Sequence, residues 1–349
     1  MERQTIPVPP GLVPDVLREY GELTRAALER YLPAVEPRRY LYDLVADYPR
    51  RGGKGMRPSL CLATARAFGA RTEEALGAAV AIELFHNALL VHDDIQDDSE
   101  ERRGGPALHV LHGVPLALNA GDSLVLLSLR PLLESRLQLG QRLTLRLVEL
   151  TERMARESAE GQALELGWRR DNVLDLRDED YLEMVLKKTC WLGTIYPLQV
   201  GALIGSRKSG VSLEPFLRFG FFLGAAFQIR DDVLNLIGDQ RYGKEIDGDI
   251  WEGKRSLMMI HLLREAAPHE RDRLAGFLAR PRAGRTAGEV RWVRGLMDRY
   301  GSIEYAEGVA GGLAGAALHE HALAYGGLAA SRDRQFIEAM VPWVVERVS

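Results

Sequence analysis

The stretch AIELFHNALLV at 81–91 runs directly into HDDIQDD at 92–98, and that junction decides the fold. The apolar residues recur at helical spacing. At about 100° per residue, Asp93 and Asp97 then fall one turn apart on one helix face. Like charges so placed destabilise a bare helix, and aspartate is a modest helix former. Carboxylates also belong near a helix N-terminus, whereas these lie toward the C-terminal end, where the dipole opposes them. A solvated helix end is the bland reading. The alternative is a bound hard cation, which removes the electrostatic cost.

A second cluster, QIRDDVLN at 228–235, follows another apolar helical stretch, FGFFLGAAF at 219–227. Asp231 and Asn235 share a face, with Gln228 about one turn earlier. Two such clusters, each near the end of an apolar helix, are much less expected by chance than one. Facing each other, they would hold Mg²⁺ through one or two carboxylates per ion, with water and phosphate oxygens completing the shell.

Working outward, apolar residues at three and four spacing recur over roughly 12–32, 55–69, 73–98, 108–139, 141–167, 178–206, 213–237, 255–266 and 302–330. No sustained two-residue alternation bounded by hairpin turns marks a strand. Glycines at 52–53, 104–105 and 238 punctuate the helices, and Pro281 to Gly288 reads as an arginine-rich loop. The expectation is an all-α, single-domain helical bundle of about ten core helices spanning 1–349, with residues 1–12 as an N-terminal extension. Hydrophobic residues make up 46% of the chain and net charge is -4, so a large core is affordable and nothing favours nucleic acid. Two cysteines, Cys61 and Cys190, in apolar helical stretches read as buried thiols of a reducing, cytoplasmic compartment. No apolar run reaches the roughly 18 residues of a membrane span, so no transmembrane segment is expected. The start, MERQTIPVPPGLVP, lacks a signal peptide's apolar core.

Basic residues surround the two clusters. Arg102 and Arg103 follow the first, Lys54 and Arg57 sit in GGKGMRP at 52–58, Lys187 and Lys188 precede Thr189, and Lys244 and Lys254 flank the loop after the second. Each taken alone reads as a solvated surface charge. His86 differs: seven residues before Asp93, it lies two turns away on nearly the same face, inside an apolar run.

In order along the chain, GGKGMRP (52–58), ELFHNALLVHDDIQDDSEERRG (83–104), NAGD (119–122), GQ (161–162), KKT (187–189), FQIRDDVLNLIGD (227–239) and GKEIDGDIWEGKRS (243–256) resemble the trans-isoprenyl diphosphate synthases, the polyprenyl synthetase family. The match covers roughly 50–260. The resemblance implies the isoprenoid synthase fold, a homodimer of helical bundles each with a deep central cavity. It implies a prenyltransferase that joins an allylic diphosphate to isopentenyl diphosphate head to tail. By resemblance, three Mg²⁺ are held by Asp93 and Asp97 on one side and Asp231 on the other, and Asp94 belongs to the same catalytic motif. The allylic diphosphate is gripped through those ions with Arg102, Lys188, Lys244 and Lys254, beside Thr189 and Gln228. Isopentenyl diphosphate is held without metal by Lys54, Arg57, His86 and Arg103.

One position departs from the pattern: Asn235 stands where the family's second motif commonly ends in aspartate. An amide still offers an oxygen but no charge, which weakens one outer contact to the third metal. One and two turns below Asp93 lie Leu89 and Phe85, with Ala88 beside them. These are the expected floor of the product cavity, with Phe85 the deeper stop, and helix 113–130 as a further wall. The small Ala88 and Leu89 point to a C20 product, geranylgeranyl diphosphate. Two other readings compete: a terpene cyclase on the same scaffold, which has no use for the second cationic set, and a non-catalytic partner subunit, which would have lost the acids of the first motif.

Overall fold

The computed structural model describes residues 11–207, 211–238 and 245–347. Within them the chain is helical: α1 (Leu12–Leu28), α2 (Asp43–Arg51), α3 (Met56–Ala67), α4 (Thr72–Asp97), α5 (Leu108–His112), α6 (Val114–Glu134), α7 (Arg136–Leu139), α8 (Gln141–Arg170) and α9 (Asp178–Val185). A π-helical segment, Leu186–Ile195, leads into α10 (Tyr196–Ser206). Then come α11 (Glu214–Ile237), α12 (Gly248–Glu252), α13 (Leu257–Glu265), α14 (Pro268–Leu278), α15 (Ala287–Arg299), α16 (Ser302–Tyr325) and α17 (Arg332–Glu346). One two-residue ladder, Glu101–Arg102 against Gly105–Pro106, tightens the loop after α4.

Local chemistry sets these boundaries. At the start of α4, the Glu74 carboxylate accepts from the Arg71 backbone N–H at 2.8 Å. The helix stops where Asp98 turns left-handed, at φ 54°. α11 opens with Pro215 in its first turn and stops at Gly238. Thr286 and Glu289 form a reciprocal cap that starts α15 directly after the arginine-rich loop.

The main buried cluster runs from Leu12 to Val344. α4, α8, the π segment and α11 surround a cavity of about 1400 Å³. Glycines allow these elements to approach closely. A Cβ on Gly161 would collide with the Lys188 backbone, and one on Gly220 or Gly224 would strike Ile195, Thr194 or Cys190. α8 and α11 therefore clamp the π segment from both sides.

Several sequence expectations need correction. The stretch 108–139 is three helices, broken at Gly113 (φ 80°) and Ser135. α2, α14, α15 and α17 were not read from the sequence: α14 carries few apolar residues, whereas α2 and α15 are short, charged but amphipathic helices. Thr72–Asp97 and Val114–Leu139 are long and apolar enough to cross a membrane, although scattered polar residues interrupt each apolar run. In the first, 61% of the apolar window is buried inside the protein, and in the second 39%. Residues 1–10 of the expected N-terminal extension, and Lys244, lie outside the described residues.

Candidate active site

α4 delivers Asp93, Gln96 and Asp97 to the cavity wall. Each carboxylate at this helix end meets a cation from another element. Lys188 Nζ lies 3.3 Å from Asp93 and 2.9 Å from Glu165. Lys254 Nζ lies 3.1 Å from Asp97, 3.6 Å from Asp249 and 2.7 Å from Glu252. Arg169 reaches Asp97 at 2.9 Å, and Arg102 approaches Asp93 at 4.0 Å. Burial by itself raises the Asp93 carboxyl, but Lys188, Lys254 and Arg102 together hold it well below the usual carboxylate range. Burial likewise opposes the charge on Lys188 and Lys254, and the surrounding carboxylates outweigh it, so both stay protonated. The choice between the two adjacent lysines is settled by the π segment. Lys187 turns outward to Glu157 and Glu160, at 2.9 and 2.6 Å, and Lys188 turns inward.

Asp94 does not face the cavity. It is fully buried, receives the Tyr48 hydroxyl at 2.5 Å and the Arg102 Nε at 2.9 Å. About 100° round the helix from Asp93, it turns away from the cavity and anchors Arg102, whose guanidinium then lies at the cavity rim.

On α11, Asp231 lines the cavity and pairs with Arg347, whose guanidinium stacks 4.1 Å from the Phe227 ring centroid. A hydrogen-bonded chain crosses this wall. Thr189 Oγ1 donates to Gln228 Oε1 at 3.0 Å, Gln228 Nε2 donates to Asp232 at 2.6 Å, and the Tyr181 hydroxyl donates to Asp232 at 2.8 Å. Burial first, and Asp249 second, push the Asp232 carboxyl up to about 8. Asn235 uses both ends of its amide. Its Oδ1 accepts from Asp249 N–H at 3.0 Å and its Nδ2 donates to the Glu245 carbonyl at 3.1 Å. The amide thus pins the 245–249 loop, a task that aspartate cannot do in full because it has no donor.

A second cationic group stands beside the first. Arg57 and His86 line the cavity, and Arg57 Nε is buried without a hydrogen-bond partner. Glu83 lies 3.4 Å from His86 and 3.8 Å from Arg103. Arg103 also donates to Asn87 Oδ1 at 3.0 Å and the Tyr48 carbonyl at 2.8 Å. Burial, then the Arg57 charge, push His86 down to about 4, so it is neutral near pH 7. Lys54 is exposed on a turn built from Gly52 and Gly55, both at positive φ. Gly53 in the same turn rests against the Arg103 guanidinium. Neither Lys54 nor Arg103 lines the main cavity.

The expected floor is only partly where sequence reading placed it. Leu89 lines the cavity, together with Leu192, Phe227, Met184 and Val185. Ala88 is buried in a separate cluster with α2 and α6 residues, on the far side of α4. Phe85 lies in the core one turn below Leu89 and is not a wall residue. No α6 residue lines the cavity, which removes helix 113–130 from the wall. Sequence reading picked out Gln162 only as part of GQ and missed the rest of its row on α8. Gln162 bonds Gln96 at 2.7 Å, Glu165 holds Lys188, and Arg169 holds Asp97. Their spacing of three and four places them on one helix face, and that polar stripe was the available signal.

The donor set fits a hard divalent cation. Asp93, Asp97 and Asp231 offer carboxylate oxygens from opposite walls, and no three His, Cys, Asp or Glu side chains among the described residues converge on one point. A cation would therefore need further oxygens from water or a phosphate, which is how Mg²⁺ prefers to be held.

Comparison with known proteins agrees. The sequence profile of the polyprenyl synthetase family matches residues 38–294. The short chain isoprenyl diphosphate synthase of Methanothermobacter thermautotrophicus is 35% identical over 301 residues, covering 85% of this chain and 88% of that one. The crystal structure of a geranylgeranyl pyrophosphate synthetase from Pyrococcus horikoshii superposes with a TM-score of 0.83 at 31% identity, over 95% of this chain and 98% of that one. A polyprenyl synthase from Caulobacter crescentus, solved with calcium and isoprenyl diphosphate, has a TM-score of 0.81 at 27% identity, over 96% and 98%.

Proposed function

Because this chain belongs to the polyprenyl synthetase family and is a divalent-metal-dependent trans-prenyltransferase acting on isoprenoid diphosphates, we propose that it condenses an allylic diphosphate with isopentenyl diphosphate to give all-trans geranylgeranyl diphosphate, C20. The observation that carries the reading is one apolar cavity with cation-laced carboxylates at its mouth: Asp93 with Lys188, Asp97 with Lys254, and Asp231 opposite. The names of relatives support the length.

In this reading Asp93, Asp97 and Asp231 would hold three Mg²⁺, and the bound ions would supply positive charge for the diphosphate leaving group. Lys188, Lys254 and Arg102 face the same diphosphate directly, with Lys244 as a further contact. Buried counter-charges keep the two lysines protonated, so they meet the developing charge without reorganising. Thr189 and Gln228 form the adjoining polar wall. Asp94 acts at one remove, by holding Arg102. Arg57, His86, Arg103 and Lys54 receive isopentenyl diphosphate, and the unpartnered Arg57 Nε is a donor in want of an acceptor. Leu89, Leu192 and Phe227 keep water from the allylic cation. The double bond of isopentenyl diphosphate attacks that cation, and the proton leaves to the released pyrophosphate. A terpene cyclase has no use for the second cationic group, and neither that reading nor a non-catalytic subunit gains support from the relatives.

The main buried cluster from Leu12 to Val344 supports a single domain over 1–349. Leu118, Leu126, Leu133, Leu137 and Leu145 lie exposed along α6, α7 and the start of α8, and a second copy of the chain covers them in a homodimer. Free buried Cys61 and Cys190 accord with a reducing, cytoplasmic setting.

The test is product analysis. Purified protein is incubated with Mg²⁺, isopentenyl diphosphate and C5, C10 or C15 allylic diphosphate, and the dephosphorylated products are sized. A linear C20 alcohol, abolished by EDTA, is expected. No elongation, or a cyclic hydrocarbon formed without isopentenyl diphosphate, overturns the reading.

A further inference from the structure

The cavity walls descend from the charged mouth along four elements, and on each the lining ends at a definite residue. α4 ends at His86, α8 at Ala155, the π segment at Leu192 and α11 at Phe227. One turn deeper on α8 stands Thr151, and four residues beyond Leu192 stands Tyr196, the first residue of α10. Both are buried, and their hydroxyls meet at 2.6 Å across the gap between the two helices. Thr151 spends its own hydrogen on the Leu147 carbonyl at 2.8 Å, so the Tyr196 hydroxyl is the donor of the pair.

We infer that the Tyr196–Thr151 pair is the floor of the product cavity and sets the length at which elongation stops. This rests on the prenyltransferase reading above and adds the residues that decide its product. The wall above the pair is smooth: on the cavity face of α8 the residues between Gln162 and Thr151 include Ser158, Ala159 and Ala155. A chain meets no bulk there until it reaches the phenol ring. From Gln162 to Thr151 is eleven residues, about 16 Å at 1.5 Å per residue, and an isoprene unit extends about one helical turn, so about three units fit below the reacting one. Four units make C20. The stop is polar as well as steric. A growing tail that pushed the ring aside would leave buried hydroxyls unpaired in a dry core, where no water replaces the lost bond.

The experiment uses full-length enzyme with Mg²⁺, isopentenyl diphosphate and a C15 allylic diphosphate, with products sized as above. Tyr196→Ala is expected to lengthen the main product by at least one C5 unit. Tyr196→Phe keeps the ring but loses the hydroxyl pair, so it is expected to keep the wild-type length as the main product with a minor share one C5 unit longer. Ala155→Phe raises the floor by one turn and shortens the product. If Tyr196→Ala fails to melt cooperatively, Ala155→Phe decides. Wild-type length in folded Tyr196→Ala or in Ala155→Phe overturns the inference. A wild-type product other than C20, moved in opposite directions by the two variants, upholds the floor and refutes the C20 reading. Absence of metal-dependent elongation by the wild type overturns both.

Discussion

Replacing Asn235 by aspartate restores the residue that the family's second motif commonly carries, and the structure gives a reason why it should harm this chain before metal arrives. The Asn235 side chain is buried, with its Oδ1 accepting from Asp249 N–H at 3.0 Å and its Nδ2 donating to the Glu245 carbonyl at 3.1 Å. Asn235→Asp keeps the first bond and turns the second into a carboxylate facing a carbonyl. A net bond of about 1 kcal/mol is lost, and an unpaired buried acceptor brings the cost to about 2 kcal/mol. The new charge also joins Asp232, whose carboxyl is already pushed up to about 8 by burial and Asp249. Local opening of the 245–254 segment should therefore rise about 30-fold. Hydrogen exchange read by mass spectrometry on peptides covering 245–254 measures it in metal-free protein. Adding Mg²⁺ and inorganic pyrophosphate should narrow the gap, because a cation at the site compensates the added carboxylate. Amides in 245–254 that exchange no faster than wild type in the metal-free variant would refute the pinning role.

Three other outcomes are open to measurement. Lys188→Ala leaves Asp93 and Glu165 without their shared cation and should lower kcat about 100-fold or more, whereas Glu165→Gln keeps the Asp93–Lys188 pair and should cost much less; equal losses in steady-state assays would contradict the geometry. His321 is buried against Tyr325 and Phe219, and its pKa is pushed down to about 4, chiefly by burial. The unfolded chain therefore binds a proton first, and stability is lost as pH falls from about 6.5 toward about 4; His321→Phe should remove about 2 kcal/mol of the loss between pH 7 and pH 5, read by urea unfolding at those two values, and an unchanged pH dependence would refute it. Leu126 and Leu137 are 70% and 85% exposed, so on the proposed dimer the wild type should sediment as a dimer and the double variant Leu126→Asp, Leu137→Asp as a monomer; a dimeric variant places the interface elsewhere.

The aspartate clusters were legible in sequence because helical periodicity converts four-residue spacing into a shared face, and an apolar run before each cluster shows which end of a helix is involved. His86, seven residues before Asp93, was found on the same argument and does line the cavity. Periodicity is silent where facing direction depends on a single position. Asp94 and Asp93 are neighbours in sequence, yet one is sealed against Tyr48 and the other meets Lys188. Ala88 and Leu89 divide in the same way between a distant cluster and the cavity wall. Which side of a helix faces a partner is set by what packs on it, and periodicity alone leaves that rotation free.

From its sequence alone this protein was determined to be an all-helical bundle with two acid-tipped helices and a cationic set suited to diphosphates. Period, composition and local charge are properties of the chain itself, so they survive without coordinates. Only the tertiary structure decided which cation neutralises which carboxylate, why Asn235 suits its place, and where the cavity ends. Lys188 with Asp93, Lys254 with Asp97, and Tyr196 with Thr151 are separated by 95, 157 and 45 residues. Such pairs are fixed by the packing of α4, α8, the π segment and the 248–256 loop around a common void, and that packing depends on all of the helices at once.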